Sequence, residues 1–201
     1  MYNDINVPMI IKSIIKAKYP KHGILAEESG HDYRESEYLW VIDPIDGTTN
    51  FLHGIPHFAI SIALQSNEEI VSALIFDPIK DEMYYSEKDK GAFLNNQRLR
   101  VSKKTSLDDC LFSSSLEGVK FSNLNMRYSG CAALDLAYVG CGRLDGFFHN
   151  KINLWDIAAG KIIVEEAGGR INEIQNFKSK IDIRAANPNI YEKMLNKLDN
   201  F

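Results

Sequence analysis

Residues Trp40-Val41-Ile42-Asp43-Pro44-Ile45-Asp46-Gly47-Thr48-Thr49-Asn50-Phe51 constrain this chain more than any other stretch. An apolar run ends there in two carboxylates and passes at once into a glycine and a set of hydroxyl and amide side chains. Tyr38 to Ile42 suits a short buried strand, and Pro44 forces Asp43 into an extended conformation, so the strand is predicted to stop with Asp43 held rigidly. Gly47 permits a positive φ or a close backbone approach, and Thr48, Thr49 and Asn50 are residue types that cap helices. The pattern reads as strand, turn, helix start. A helix start reached through a glycine offers free N–H groups and a partial positive charge, which suits a phosphate. Two aspartates beside such an anion would repel it, unless a divalent cation is shared between carboxylates and phosphate oxygens. The plainer alternative is a polar turn that caps a helix, and an isolated D-x-x-D-G pattern favours it because such turns are common.

The flanking sequence predicts a mixture of helices and strands. Asn6 and Pro8 read as the cap and first turn of a helix with Ile10, Ile11, Ile14 and Ile15 on one face, stopping at Tyr19 before Pro20. Phe58 to Leu64 and Ile70 to Phe76 are β-rich runs around Ser66-Asn67-Glu68-Glu69, a hairpin signal. Glu82 to Ser86, Ala92 to Leu94 and Arg98 to Val101 continue as short strands between turn residues, which implies an antiparallel meander. Leu111 to Ser115 reads as a further strand, while Ser102 to Met126 otherwise has no strong period. Cys131 to Cys141 suits a closely packed helix ended by Gly142, and Leu144 to Phe148 a buried strand. Asp156 opens a helix with Ala159, Ile162 and Ile163 on one face, ended by Gly168-Gly169. Taken alone, Asp156 reads as a simple cap, stabilised by the helix dipole by ~0.3–1 kcal/mol. Arg170 to Ile174 reads as a strand and Asn189 to Leu198 as a terminal helix.

With 201 residues and 45% hydrophobic composition, the chain is long enough for one well-packed domain. A net charge of −4 argues against a nucleic-acid surface, and Lys103-Lys104 reads as a solvated turn. Cys110, Cys131 and Cys141 have neither the even count of a disulfide framework nor the spacing of a zinc site, so reduced thiols and a cytoplasmic location are expected. No apolar segment approaches the ~20 residues needed to span a bilayer, and the first residues lack a signal pattern, so no membrane partner is expected.

Three stretches in order resemble the inositol monophosphatase family. The twelve residues around Asp43 resemble its metal-binding motif, Gly23-Ile24-Leu25-Ala26-Glu27-Glu28-Ser29 its upstream glutamate motif, and Leu154-Trp155-Asp156-Ile157-Ala158-Ala159-Gly160 its downstream aspartate motif. The resemblance runs over nearly the whole chain, including Gly91 to Asn96 and Ala132 to Ala137. It implies an α/β (α+β) fold, a layered α-β-α-β-α sandwich of the inositol monophosphatase and fructose-bisphosphatase type with a largely antiparallel N-terminal sheet. It implies a single domain with two lobes, about residues 1–110 for metal and phosphate and about 111–201 for substrate, paired as a homodimer.

The activity implied is Mg2+-dependent, Li+-sensitive hydrolysis of a small phosphomonoester, first of all inositol monophosphate. Phosphate-monoester hydrolysis needs accelerations of up to ~10²¹-fold. An acid–base pair supplies only ~10²–10⁴ of that. Two or three Mg2+ ions supply further terms, and their preference for hard oxygen ligands fits a carboxylate cluster without His or Cys. By resemblance, Glu27, Asp43 and the Ile45 carbonyl would hold one Mg2+, and Asp43, Asp46 and Asp156 a second, with Asp43 as the bridge. The N–H groups of Gly47 and Thr48 would grip the phosphate, and the Thr48 hydroxyl with Glu27 would orient the attacking water. Asp46 joins Glu27 and Thr48 as a catalytic residue, and Asp156 joins Gly47, Thr48 and His149 in contacting substrate. Glu28 reads equally as a supporting or a surface residue, and Asp4 would lie near a third, weaker metal position.

The chain departs from the family in three places. It begins a few tens of residues late, it is shorter between Ser102 and Met126, and it has His149 seven residues before Asp156, where the family commonly has a glutamate that contacts substrate hydroxyls. A neutral imidazole accepts one hydrogen bond and donates one, so His149 either tunes the substrate or is a loop residue that touches nothing. His53 and His57 flank the Gly54-Ile55-Pro56 turn, but the carboxylates already account for a hard-metal site. The competing readings are a relative that cleaves fructose bisphosphate or an adenosine bisphosphate, and a non-catalytic binding or scaffold relative with a residual metal site.

Overall fold

A computed structural model describes residues 6–27, 30–32, 36–114, 124–172, 174 and 180–198. The expectations for Asp4 and Glu28 lie outside the described residues. In chain order the elements are α1 (Asn6–Lys18), β1 (Gly23–Ala26), β2 (Gly30–Asp32), β3 (Tyr38–Asp46), α2 (Thr48–Leu52), β4 (Ala59–Ser66), β5 (Glu69–Asp77), β6 (Glu82–Glu87), β7 (Gly91–Leu94) and β8 (Gln97–Arg98). They continue with β9 (Leu111–Ser114), β10 (Asn125–Arg127), α3 (Ala132–Gly140), β11 (Gly146–Ile152), α4 (Leu154–Glu166), β12 (Arg170–Ile171), β13 (Ile181–Ala186) and α5 (Tyr191–Leu198).

The first sheet has eight strands in the order β2-β1-β3-β4-β5-β6-β7-β8, antiparallel except where β1 lies parallel to β3. The second has five, in the order β10-β9-β11-β13-β12, with β9 parallel to both its neighbours and β13 antiparallel to both of its own. Strand alternation explains which side each sheet buries. Along β4, Ala59, Ser61, Ala63 and Gln65 are buried while the residues between them are half-buried, the period of two that a pleated strand imposes. The buried side meets α4, which packs across β3 to β7, and α3 lies against α4 and reaches β11 and β13 of the second sheet. On the far side of the first sheet, Ile15 of α1 packs with Ile24, Ala26 and Ile42. α5 lies against β13, where Ile190, Tyr191 and Met194 pack with Phe112 and Phe148. The layers therefore run α1, first sheet, α3 and α4, second sheet, α5, the α-β-α-β-α order implied by the resemblance.

Close approach of α3 and α4 depends on a glycine. A Cβ at Gly160 would sit 2.4 Å from the Cβ of Leu136, so only a residue without a side chain allows the two helices this spacing. A polar hub also lies between the sheets. Asp145 is 1% exposed and accepts from the Ser102 hydroxyl (2.5 Å), the Leu111 N–H (2.7 Å) and the Lys104 ammonium (2.9 Å).

Several elements differ from the sequence expectation. β3 does not stop at Asp43 but continues to Asp46. In α1, Ile15 is 7% exposed and Ile11 is half-buried, whereas Ile10 and Ile14 are 56% and 61% exposed. Ile11 and Ile15 stand four apart and form the buried stripe, and the other pair lies about 100° round the helix, beyond the reach of the sheet. Strand β8 covers Gln97–Arg98 rather than Arg98 to Val101, β11 begins at Gly146, and β12 ends at Ile171. β1, β2, β10 and β13 were not anticipated. Among the described residues, no helix is long and apolar enough to cross a membrane.

Candidate active site

The site begins with the single parallel pair of the first sheet. Ala26 of β1 pairs with Ile42 of β3, so Glu27, just past the end of β1, comes beside Asp43 within β3. A bulge then acts on β3. Asp43 lies opposite Ser61 and Asp46 opposite Ala59, so three steps along β3 match two along β4. Strict alternation would point residues three apart to opposite faces, and the extra residue brings both carboxylates to one face. Pro44 has no N–H to pair, which makes it suitable for the passed-over stretch. The Ile45 N–H donates to Asp43 Oδ1 at 2.9 Å, and the Ile45 carbonyl accepts from the Thr48 hydroxyl at 2.9 Å.

Gly47 follows with φ +88°, and a Cβ there would lie 3.0 Å from the His57 carbonyl oxygen. It is Gly47 that stands at the N-cap of α2, without any side-chain cap, while Thr48, Thr49 and Asn50 lie inside this five-residue helix. The capping use expected of those three side chains is thus not found. Asn50 instead fastens loops, its Nδ2 donating to the carbonyls of His57 and Ser129, both at 2.8 Å.

The remaining groups arrive from the second half of the chain. Asp156 sits in the first turn of α4, where its Oδ2 accepts from the Asn153 N–H (3.1 Å) and Asn153 Nδ2 (3.3 Å). Asp46 Oδ2 accepts from the Ala133 N–H (2.5 Å) and the Cys131 thiol (3.1 Å) at the start of α3. Carboxylate oxygens of Asp43, Asp46 and Asp156 all come within 4.8 Å of one another.

Crowding three acids out of water disfavours their charges. Burial first, then the charges of Asp46, Glu27 and Asp156, pushes Asp43 up to about 9, against the opposing Ile45 N–H. Burial raises Asp46 to about 7, against the Ala133 N–H and the Cys131 thiol. Burial also raises Asp156, opposed by Asn153 and then by the charge of Lys180. A divalent cation among these oxygens would remove the repulsion, and an all-oxygen donor set suits Mg2+ better than a soft metal. The donors fit.

Every described residue to which the resemblance gives a metal, catalytic or substrate role (Glu27, Asp43, Ile45, Asp46, Gly47, Thr48, His149 and Asp156) lines one cavity of about 320 Å³. Thr49, Gly130, Ala132, Lys151, Ile152, Asn153 and Lys180 line it too and were missed. Their signals were weak: Lys151 stands five residues before Asp156 in a stretch read only as strand and loop, and Lys180 follows a stretch without period. His57 lies in a second cavity of about 280 Å³ with Arg127, Tyr128, Ser129, Asp135, Tyr138 and Leu144. Burial lowers its pKa, and its ring meets Tyr138 edge-on with centroids 6.1 Å apart. A larger concavity, about 540 Å³, lies on the outer face of the first sheet among Trp40, Leu64, Leu74, Tyr85 and Phe93, and the charges at its rim, Glu87 and Lys90, pair with each other.

Comparison with known proteins places this arrangement. The sequence profile of the inositol monophosphatase family matches residues 2–200. Inositol-1-monophosphatase of Mesorhizobium japonicum is 40% identical over 87% of this chain and 71% of its own length. Nus factor SuhB of Pasteurella multocida is 38% identical over 94% of this chain and 78% of its own. Among solved structures, inositol monophosphatase from Anabaena (Nostoc) sp. PCC 7120 superposes with a TM-score of 0.89 at 35% identity, covering 98% of this chain and 86% of that one.

Proposed function

We propose that this chain, which belongs to the inositol monophosphatase family, hydrolyses a small phosphomonoester with Mg2+ as cofactor, two or three ions to a site. The observation that carries the reading is the trio Asp43, Asp46 and Asp156, whose oxygens gather within 4.8 Å on one side of a cavity that also holds Glu27. Asp43, Asp46, Asp156, Glu27 and the Ile45 carbonyl would hold the cations, which when bound neutralise phosphate charge and acidify water.

The rest is the work of the chain's own groups. Gly47 and Thr48 begin α2, where a helix leaves its first N–H groups unbonded, so they are free to take phosphate oxygens. The Thr48 hydroxyl commits its proton to the Ile45 carbonyl, which leaves its lone pairs to accept from the attacking water and fix that water's direction. Glu27 stands on the same cavity to receive the water's proton. Asp46, fixed by α3, and Asp156, fixed by Asn153, keep their positions without the substrate.

Inositol monophosphate is the first substrate to test, since a relative at 40% identity bears that activity in its name. Li+ sensitivity and pairing as a homodimer follow from the family reading. The three unpaired thiols support a reducing, cytoplasmic compartment. A binding role is the second reading, favoured by the relative named Nus factor SuhB. The purified chain assayed on a panel of phosphomonoesters with Mg2+, with and without Li+, separates the two. Mg2+-dependent phosphate release is the expected result; metal binding with no turnover of any ester would leave the binding role.

A further inference from the structure

We propose that the substrate carries a second anionic group, a phosphate or a carboxylate, recognised by Lys151, Lys180 and His149, which line the same cavity as the acidic trio; this rests on the phosphatase reading. The cavity is lined by groups of opposite charge. Glu27, Asp43, Asp46 and Asp156 supply the acids, with Gly47 and Thr48 in the same lining, and the end of β11 and the residue before β13 supply the bases.

Lys151 has φ +57°, the left-handed region, at the break in register between β11 and β13 that separates His149 from Ile152. For a residue with a β-carbon that conformation costs of order 1 kcal/mol or more and persists where the surroundings impose it. Here the Lys151 N–H donates to Asp182 Oδ1 at 2.9 Å, and Arg184 braces the same turn, donating to the His149 carbonyl at 2.8 Å and to Asn150 Oδ1 at 2.5 Å. The turn is built, and it carries an ammonium group to the cavity. Lys180 joins it from the neighbouring strand, close enough for its charge to act on Asp156.

Lys80, Lys88, Lys90, Lys104 and Lys161 each meet a carboxylate. Among the described residues Lys151 and Lys180, like Lys12, Lys103 and Lys193, are in no ion pair, and they differ from those three in lining the cavity. His149 Nδ1–H donates to the Asn150 carbonyl at 2.7 Å, which leaves Nε2 for a ligand. A polyol hydroxyl can accept from an ammonium group, but an anion makes charge-assisted bonds to both lysines, roughly twice as strong. The phosphatase reading assigns the scissile phosphate to the N–H groups of Gly47 and Thr48. The group that meets the lysines therefore lies on the leaving portion of the substrate.

The test uses the full chain with Mg2+ and compares kcat/KM for inositol monophosphate, fructose bisphosphate and phosphogluconate. The doubly anionic compounds are expected to be preferred by about tenfold, and Lys151→Gln or Lys180→Gln to lower that preference about fivefold through KM, with Lys180→Arg restoring it. Which doubly anionic compound leads identifies the second group as phosphate or carboxylate. Preference for inositol monophosphate, or loss of rate in equal proportion on all three, overturns the proposal; the second result would assign the lysines to the scissile phosphate. If nothing is turned over, the phosphatase reading fails, and calorimetric binding of the same compounds to wild type and the Gln variants decides the proposal by the same preference.

Discussion

The thiol of Cys131 lies 3.1 Å from Asp46 Oδ2, the oxygen that also receives the Ala133 N–H, so a carboxylate on β3 is held by the start of α3. The thiol stabilises the charged form of Asp46 and opposes the rise that burial imposes. Cys131→Ala is expected to weaken Mg2+ binding about tenfold near pH 7, the lower end of the value of one hydrogen bond to a charged group, and binding is expected to recover as the pH rises above Asp46's increased pKa. Calorimetric Mg2+ titrations at pH 7 and pH 9 check this, and a deficit equal at both would separate the thiol from Asp46's charge.

Asp43→Asn is expected to abolish nearly all Mg2+-dependent activity, because the change removes the acid that neighbours Glu27, Asp46 and Asp156 alike. Circular dichroism should report an unchanged fold. Substantial turnover by the folded variant would remove Asp43 from the bridging position.

The same variant has a pH signature. Asp43 is raised from 3.8 to about 9 in the folded chain, so in the metal-free protein its contribution to stability is fully present below about 4 and is lost as the pH rises through about 9. Asp43→Asn lacks that loss, so its stability relative to wild type should grow over this range by an amount of order a few kcal/mol. Denaturant melts of both proteins in chelator, from pH 5 to pH 9, measure it. A constant difference would contradict the raised pKa.

Gly160→Ala places a methyl group 2.4 Å from the Cβ of Leu136 and is expected to cost about 1–3 kcal/mol. A second change, Leu136→Gly, should cost less in the Gly160→Ala background than alone, since it removes the β-carbon that the methyl meets. Strict additivity in denaturant melts would mean that α3 and α4 do not meet at this point.

Asp145→Ala strands its half-buried partners Ser102 and Leu111 and is expected to cost about 1–3 kcal/mol, with kcat and KM little changed. The hub ties the segment before β9 to the strand that leads to His149, so its loss should appear in melting rather than in steady-state kinetics. A selective loss of kcat would show that the hub also sets the geometry of the site.

The motif residues were legible because each stands at the end of a strand or start of a helix, where chemistry depends on neighbours in sequence. Asp43 before Pro44, Gly47 before Thr48 and Asp156 in a first helical turn can be read directly. The bulge that turns Asp43 and Asp46 to one face could not be read that way, since it exists only in the pairing of β3 with β4. Neither could the hold of Cys131 and Ala133 on Asp46, which lie 85 and 87 residues away. Strand β13 was within reach: Ile181, Ile183 and Ala185 are buried and alternate with Asp182 and Arg184, but the polar residues before it obscured the pattern. In α1 the four isoleucines gave the right helix and too wide a buried face, because sequence spacing cannot say how much of a helix its sheet will cover.

The two sheets are each continuous in sequence, β1 to β8 within residues 23–98 and β9 to β13 within 111–186, yet the acidic trio takes Asp43 and Asp46 from the first and Asp156 from the helix after β11. A cut in the connecting segment 99–110 would therefore yield two fragments, each with its own sheet and neither with a complete set of acids. Helix α4, which belongs to the second fragment, would have to pack across β3 to β7 of the first before the trio existed. Under the proposed phosphatase function, catalytic competence would be a property of complementation, and phosphate release from mixed fragments would count the molecules in which the halves had found each other.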